Sequence, residues 1–423
     1  MRSNNKDLNQ ILSTEGEAFG GAAADTIDPE LYLTVDNCFA SKRWTKPDEW
    51  MTLLQDMGVG YAEASADNEC DPLYMGEDYM DRWVREVTEA SARTGVKIAN
   101  LYSGHGTYAT LGLAHHDKTV RDRMQRQWLL PLSQAAARVD AGIGFYCHAF
   151  SDSMLQDPDA YRQAEEELYD RLAAIAQQAG ELGIVTPGVE QMYTPHQVPW
   201  TVDGSRKLLQ EVNSRAGTPF YITLDTGHQS AQRKFRKPDA ASLTEWADYY
   251  AEHGQLPSCW VGANSTKALL KAMAAAPEGE KATYLHAIEE EMTERYPYLF
   301  ADEKDGDTYY WLEQLGGYSP IIHLQQTNGT ASAHQPFTEA SNRNGIIFGE
   351  PVLKALETAY RNSAEPGMPP KCGKLYLTLE IFSGTSELYD DILRKMEESV
   401  RYWRTFIPRD GIKLSEALQL LRG

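Results

Sequence analysis

Short apolar, β-branched runs recur along this chain, separated by stretches whose apolar residues repeat every three to four positions. The runs are LYLTVDNCF (31–39), GYAEASA (60–66), VKIANLYSG (96–104) and GIGFYCHAF (142–150), then IVTPGVEQM (184–192), FYITLDTG (220–227), PIIHLQQ (320–326) and LYLTLEIF (375–382). Their length and near-continuous apolar character predict strands buried on both faces, as in a parallel sheet. Between two of them, Leu168, Leu172, Ile175, Ala179 and Leu182 fall on one helical face, and Gly180 and Gly183 mark its end. The same period runs through Trp83, Val87 and Ala90 and through residues 389–406. Eight strands alternating with helices predict an α/β fold, a closed (β/α)8 TIM barrel. A doubly wound open sheet is the alternative, but no G-x-G-x-x-G follows the first strand to support it.

One connection departs from this rhythm. Between Asp225 and His323 the chain spends almost a hundred residues, far more than a strand-to-helix connection needs. ASLTEWADYYAEHG, TKALLKAMAAA and EKATYLHAIEEEMTERYPYLF each read as helix. The expected organisation is a polar arm over 1–30 and a barrel over 31–423, interrupted by a helical insertion over 233–312 between strands 6 and 7. That insertion leaves the barrel close to a candidate site, where it would cover that site or else serve as an oligomerisation or decorative element.

Composition narrows the function. The 423 residues carry a formal net charge of -21, which disfavours nucleic acid as a partner. Five scattered cysteines without a C-x-x-C pair fit a reduced, cytoplasmic protein. The N-terminus has no apolar core of a signal peptide, and no stretch is long and apolar enough to span a membrane.

The chemistry sits at the strand ends. Glu190 follows TPGV, Asp225 follows YITL, and Glu380 follows LYLTL. In a barrel all three project to the C-terminal mouth. Converging desolvated carboxylates repel one another unless a cation lies between them. On the seventh run His323 and Gln325 are two apart and share one face. Gln325 lies nearer the strand end, level with Glu190 and Glu380, whereas His323 would sit roughly 6–7 Å deeper. Gln325 is the expected ligand by position, although His is the better transition-metal ligand. An oxygen-rich set of Glu190, Asp225, Gln325 and Glu380 suits Mn²⁺ or Mg²⁺; a His323 ligand would favour Co²⁺ or Zn²⁺. His228 in D-T-G-H, His105 in SGHG and His196 beyond the fifth strand are candidates for substrate contact, as is His323 itself. Arg43, beside Lys42 after the first strand, is a candidate for a phosphate, and the Arg233–Lys237 run is another.

VEQMYTPHQVPWT, LDTGHQ, IIHLQQTNG and LTLEIFSG together resemble the xylose isomerase-like TIM-barrel superfamily, in its sugar and sugar-phosphate isomerase/epimerase branch. The resemblance implies a divalent metal held by two Glu, one Asp and a seventh-strand ligand that is usually His. It implies Glu190 and Glu380 as the acid–base pair and His228 as a substrate contact. Where such epimerases often place a further Glu, about six residues past the first, this chain has His196. The implied reaction is isomerisation or epimerisation of a ketose or ketose phosphate, such as a tetrulose phosphate, through an enediolate. A metal-dependent lyase or dehydratase acting on a keto-polyol is the alternative. The resemblance also implies a homo-oligomer.

Overall fold

The computed structural model describes residues 27–103 and 110–422. The expected arm over 1–30 lies almost wholly outside them. Among these residues eight parallel strands run in the order of the sequence: β1 (Glu30–Asp36), β2 (Tyr61–Ser65), β3 (Lys97–Ser103), β4 (Gly142–Phe145), β5 (Pro187–Glu190), β6 (Tyr221–Asp225), β7 (Ile321–Leu324) and β8 (Lys374–Leu379). β8 pairs with β1, and β1 pairs with β2, so the sheet closes into the expected barrel. The open-sheet alternative is thereby set aside.

Side chains alternate between the two faces of each strand. Leu31, Leu33 and Val35 of β1 sit beside Leu375, Leu377 and Leu379 of β8, all fully buried in the apolar core. The alternate positions form the barrel interior, and here the interior is polar. Tyr32, Tyr61 and Tyr376 cluster at its base, with ring centroids 5.0–5.5 Å apart. Above them lie Thr34, Thr378, Glu63, Asn100 and His323, every one buried. Gly144 on β4 makes room for this layer: a Cβ there would meet Asn100 Nδ2 at 2.9 Å and Tyr102 Cδ2 at 3.2 Å.

The expected helix over 161–183 is Pro158–Glu181. Asp157 caps it by accepting from the backbone N–H groups of Asp159 and Ala160, and Pro158 occupies its first turn. The C-terminal pattern forms Tyr389–Arg404. Between β6 and β7 the chain forms helices Ala240–His253, Asn264–Ala275 and Lys281–Glu290, which pack on one another. The segment that follows them docks on the connection after β4: Tyr298 stacks on Tyr161 at 3.8 Å and donates to the Leu155 carbonyl. The next helix, Thr308–Leu315, packs on β6 and on helix Gly349–Arg361, as a barrel helix does. Among the described residues no helix is long and apolar enough to cross a membrane.

A short strand, β9 (Ile412–Lys413), runs antiparallel to the start of β1. β2 meets β1 only from Thr34 onward, which leaves the lower half of that edge to β9. Gly411 N–H donates to Leu31 O, Leu414 N–H to Pro29 O, and Leu33 N–H to the Asp410 carboxylate.

Candidate metal centre

β5, β6, β7 and β8 end on the same side of the barrel, and each delivers a group to one point. Glu190, Asp225, His323 and Glu380 are all buried, and one ligand atom of each lies within 4.8 Å of the others. His323 Nδ1 is 3.0 Å from Glu190 Oε1 and 3.2 Å from Glu380 Oε2. Its other nitrogen, Nε2, is 2.8 Å from Glu63 Oε2. Tyr102 donates its hydroxyl to Glu190 Oε2.

The electrostatics follow from burial and crowding. Burial pushes the Glu380 carboxyl well above the usual carboxylate range; His323 opposes this, and the charges of Asp225 and Glu190 reinforce it. Burial alone would lower the His323 imidazole, but the carboxylates of Glu380 and Glu63 more than offset it and raise it well above the ordinary value. Burial would likewise raise Asp225, yet the His228, His334 and His323 rings and the Gln325 amide hold it down to about 2. Burial, then the charges of Glu190 and Glu380, keep the Tyr102 hydroxyl protonated and donating. Glu380 Oε2 has no donor properly aimed at it despite full enclosure. Such an oxygen, among three carboxylates and one imidazole, is what a divalent cation satisfies, so the residues present fit a metal.

The structure places each expected site residue. Glu190, Asp225 and Glu380 converge. Gln325 lies beside them but is turned away from the role of ligand. Its Nε2 donates to both Asp225 oxygens at 2.8 and 2.9 Å, while its Oε1 accepts from the His334 backbone N–H at 2.6 Å. The backbone donor fixes the amide's orientation, so Gln325 holds Asp225, and His323 takes the seventh-strand place among the four grouped atoms. His228 sits at the mouth: its Nδ1 lies 2.7 Å from the Gln191 carbonyl and its Nε2 3.9 Å from Asp225 Oδ1. His196 instead packs against the β4 connection, with Nδ1 3.2 Å from Phe150 O. The Arg43 guanidinium anchors the loop after β8, donating to the carbonyls of Gly384, Thr385 and Glu387. His105 lies outside the described residues.

Four mouth or interior residues are not among the sequence expectations. Asp36 ends β1, as Glu190 ends β5, and the same rule would find it; its carboxyl is raised to about 7 by burial, with Glu63 adding to the effect. Glu63 and Tyr102 lie within strands whose alternation carries no mark of an inward charge. His334 lies in the loop after β7, stacked on Phe382 at 4.0 Å and at a φ of +45°.

Gly227 shows how tightly this shell is built. A Cβ there would lie 2.3 Å from Gln325 Cδ. Gly227→Ala is therefore expected to displace Gln325 and loosen Asp225. Overpacking of this kind costs about 1–3 kcal/mol, and calorimetric titration should show weaker divalent-cation binding.

The sequence matches the xylose isomerase-like TIM barrel family over residues 51–257. A curated relative, D-erythrulose 1-phosphate 3-epimerase of Brucella abortus (strain 2308), is 33% identical over 108 residues. That segment spans 25% of this chain and 31% of the relative. Among solved structures, a candidate xylose isomerase from Rhodospirillum rubrum ATCC 11170 superposes with a TM-score of 0.63 at 16% identity, covering 88% of this chain and 98% of that one. An L-ribulose 3-epimerase superposes at 0.51 with 13% identity, covering 93% and 96%. At these identities the structural likeness is one of fold. Over residues 51–257 the sequence is thus similar to the xylose isomerase-like TIM barrel family, and the fold of the chain is that of such a barrel.

Proposed function

We propose that the protein is a divalent-metal-dependent isomerase or epimerase of a ketose or ketose phosphate, moving a proton between Glu190 and Glu380. The supporting observation is the pair of buried carboxylates lying within 3.0 and 3.2 Å of the same His323 nitrogen at the barrel mouth. A divalent cation would be held by Glu190, Asp225, Glu380 and His323, three carboxylates with one imidazole, a set open to Mn²⁺ and Co²⁺ alike, and would acidify the proton next to a ketose carbonyl.

The chain's own groups supply the rest. One carboxylate removes that proton and the other returns one. Return to the opposite face of the same carbon epimerises; return to the neighbouring carbon isomerises. Tyr102 holds Glu190 in place, and Gln325 holds Asp225. His228 is presented to the mouth, where substrate hydroxyls would lie. The partial identity to a D-erythrulose 1-phosphate 3-epimerase supports epimerisation and a short phosphorylated ketose such as a tetrulose phosphate.

Proton exchange in D₂O, followed by NMR, tests this reading. Metal-loaded protein would be given tetruloses to hexuloses with and without phosphate. Deuterium at the carbon next to the carbonyl of one of them is the expected result, and the product distinguishes epimerase from isomerase. No incorporation with Mn²⁺, Co²⁺ or Mg²⁺ for any sugar would defeat it.

A further inference from the structure

Beneath the metal-binding cluster lies a carboxylate with no part in the proposed proton transfer. Glu63 is fully buried, and no Lys or Arg pairs with it among the described residues. Its Oε1 accepts from Asn100 Nδ2 at 2.6 Å, which leaves Oε2 facing His323 Nε2 at 2.8 Å. The backbone sets up this contact. Glu63 is in register with Asp36 of β1 and with Asn100 of β3, and a register shift in the β2–β3 pairing brings Asn100 opposite it.

We infer that Glu63 is a positioning residue for the metal centre: it accepts the Nε2 proton of His323 and so leaves Nδ1 as the bare nitrogen turned toward Glu190, Glu380 and the cation. The inference rests on the proposed metal dependence. A neutral imidazole carries one proton, and only its unprotonated nitrogen can bind a metal. Glu190 and Glu380 crowd Nδ1 and would draw the proton to that side. A third carboxylate at Nε2 draws it the other way. A ligating His whose other nitrogen donates to a carboxylate is fixed in both tautomer and ring orientation. Asn100 acts through Glu63, because it occupies Oε1 and directs Oε2 at the ring. The same arrangement accounts for an acid placed deep in a barrel where an apolar side chain would pack more favourably.

Two measurements test this on the full-length protein, and neither depends on turnover. Calorimetric titration with Mn²⁺ or Co²⁺ should show Glu63→Gln weakening binding by about 10–100-fold, with Glu63→Asp recovering part of the loss and thermal melting of the metal-free proteins little changed. Proton NMR of the Co²⁺-loaded native protein in H₂O should show a hyperfine-shifted, exchangeable N–H resonance that His323→Gln removes and Glu63→Gln shifts or loses to exchange. Native affinity and an unmoved resonance in Glu63→Gln would overturn the inference. So would a native Co²⁺ protein whose spectrum is indifferent to His323→Gln, since His323 would then not be the ligand. A native protein that binds no divalent cation would remove the metal reading itself, a result distinct from failure of the variant alone. If Glu63→Gln does not fold, Asn100→Ala replaces it in both measurements: a lowered cation affinity and a moved resonance support the role, and native values refute it.

Discussion

Glu380→Gln is expected to cut conversion of the ketose to its epimerised or isomerised product by at least about a hundredfold, the scale on which a positioned acid or base acts. The substitution keeps the shape of the side chain and removes its ability to carry the proton back and forth. Glu190→Gln is expected to do the same. The two losses should not add, because a proton removed by one group must be returned by the other, and breaking either step stops the cycle. The double variant should therefore be scarcely worse than each single one. Melting followed by circular dichroism should show all three folded. Glu380 is enclosed and pushed toward its neutral form, so the amide places no new burden on the core. If either single variant formed product at the native rate, that residue would have no share in the proton transfer.

Removing divalent metal is expected to abolish exchange and to lower the melting temperature, with Mn²⁺ restoring both. A ligand that binds only the folded state stabilises it by mass action, about 2.7 kcal/mol at a hundred times its dissociation constant. For a chain of this size that corresponds to several degrees. The gain arises here because three buried carboxylates are gathered at one point. Asp225→Asn removes one of them and disrupts the bond from Gln325, so the metal-induced rise in melting temperature should shrink sharply in that variant. An unchanged melting curve on addition of Mn²⁺, Co²⁺, Mg²⁺ and Zn²⁺ to chelator-treated protein would count against a metal centre.

Much of this architecture is readable in the chain because parallel barrel strands are apolar on both faces. Each of the eight runs stands out against amphipathic helices, and a carboxylate closing such a run has few reasons to be there. That logic singles out Glu190, Asp225 and Glu380, which the fold brings together. It was blind where the signal is one of phase. Glu63 in GYAEASA looks like the polar half of an ordinary alternation, and nothing in the run says that its polar face points into the barrel. The seventh strand shows a second limit. His323 and Gln325 share a face, and spacing alone favoured the one nearer the end. The depth at which the neighbouring strands deliver their carboxylates, and the His334 backbone donor that turns the Gln325 amide, are matters of three-dimensional register. Arg43 illustrates a third. A cation after the first strand is visible in the sequence, but the carbonyls that engage it belong to a loop more than three hundred residues away.

The pairing of β9 with β1 has a consequence for the molecule's behaviour in a crowded solution. A barrel escapes the hazard of raw strand edges only where neighbouring strands overlap along their whole length. Here β1 extends below β2, and the gap is filled by residues 410–414, which meet the carbonyls of Pro29 and Leu31 and the amide of Leu33. Asp410 is itself fastened by Arg404. Those few residues act as a guard against aggregation. A clipped chain lacking them would keep its reactive mouth at the far end of the barrel, yet would offer every neighbouring copy an open ladder on which to add a strand.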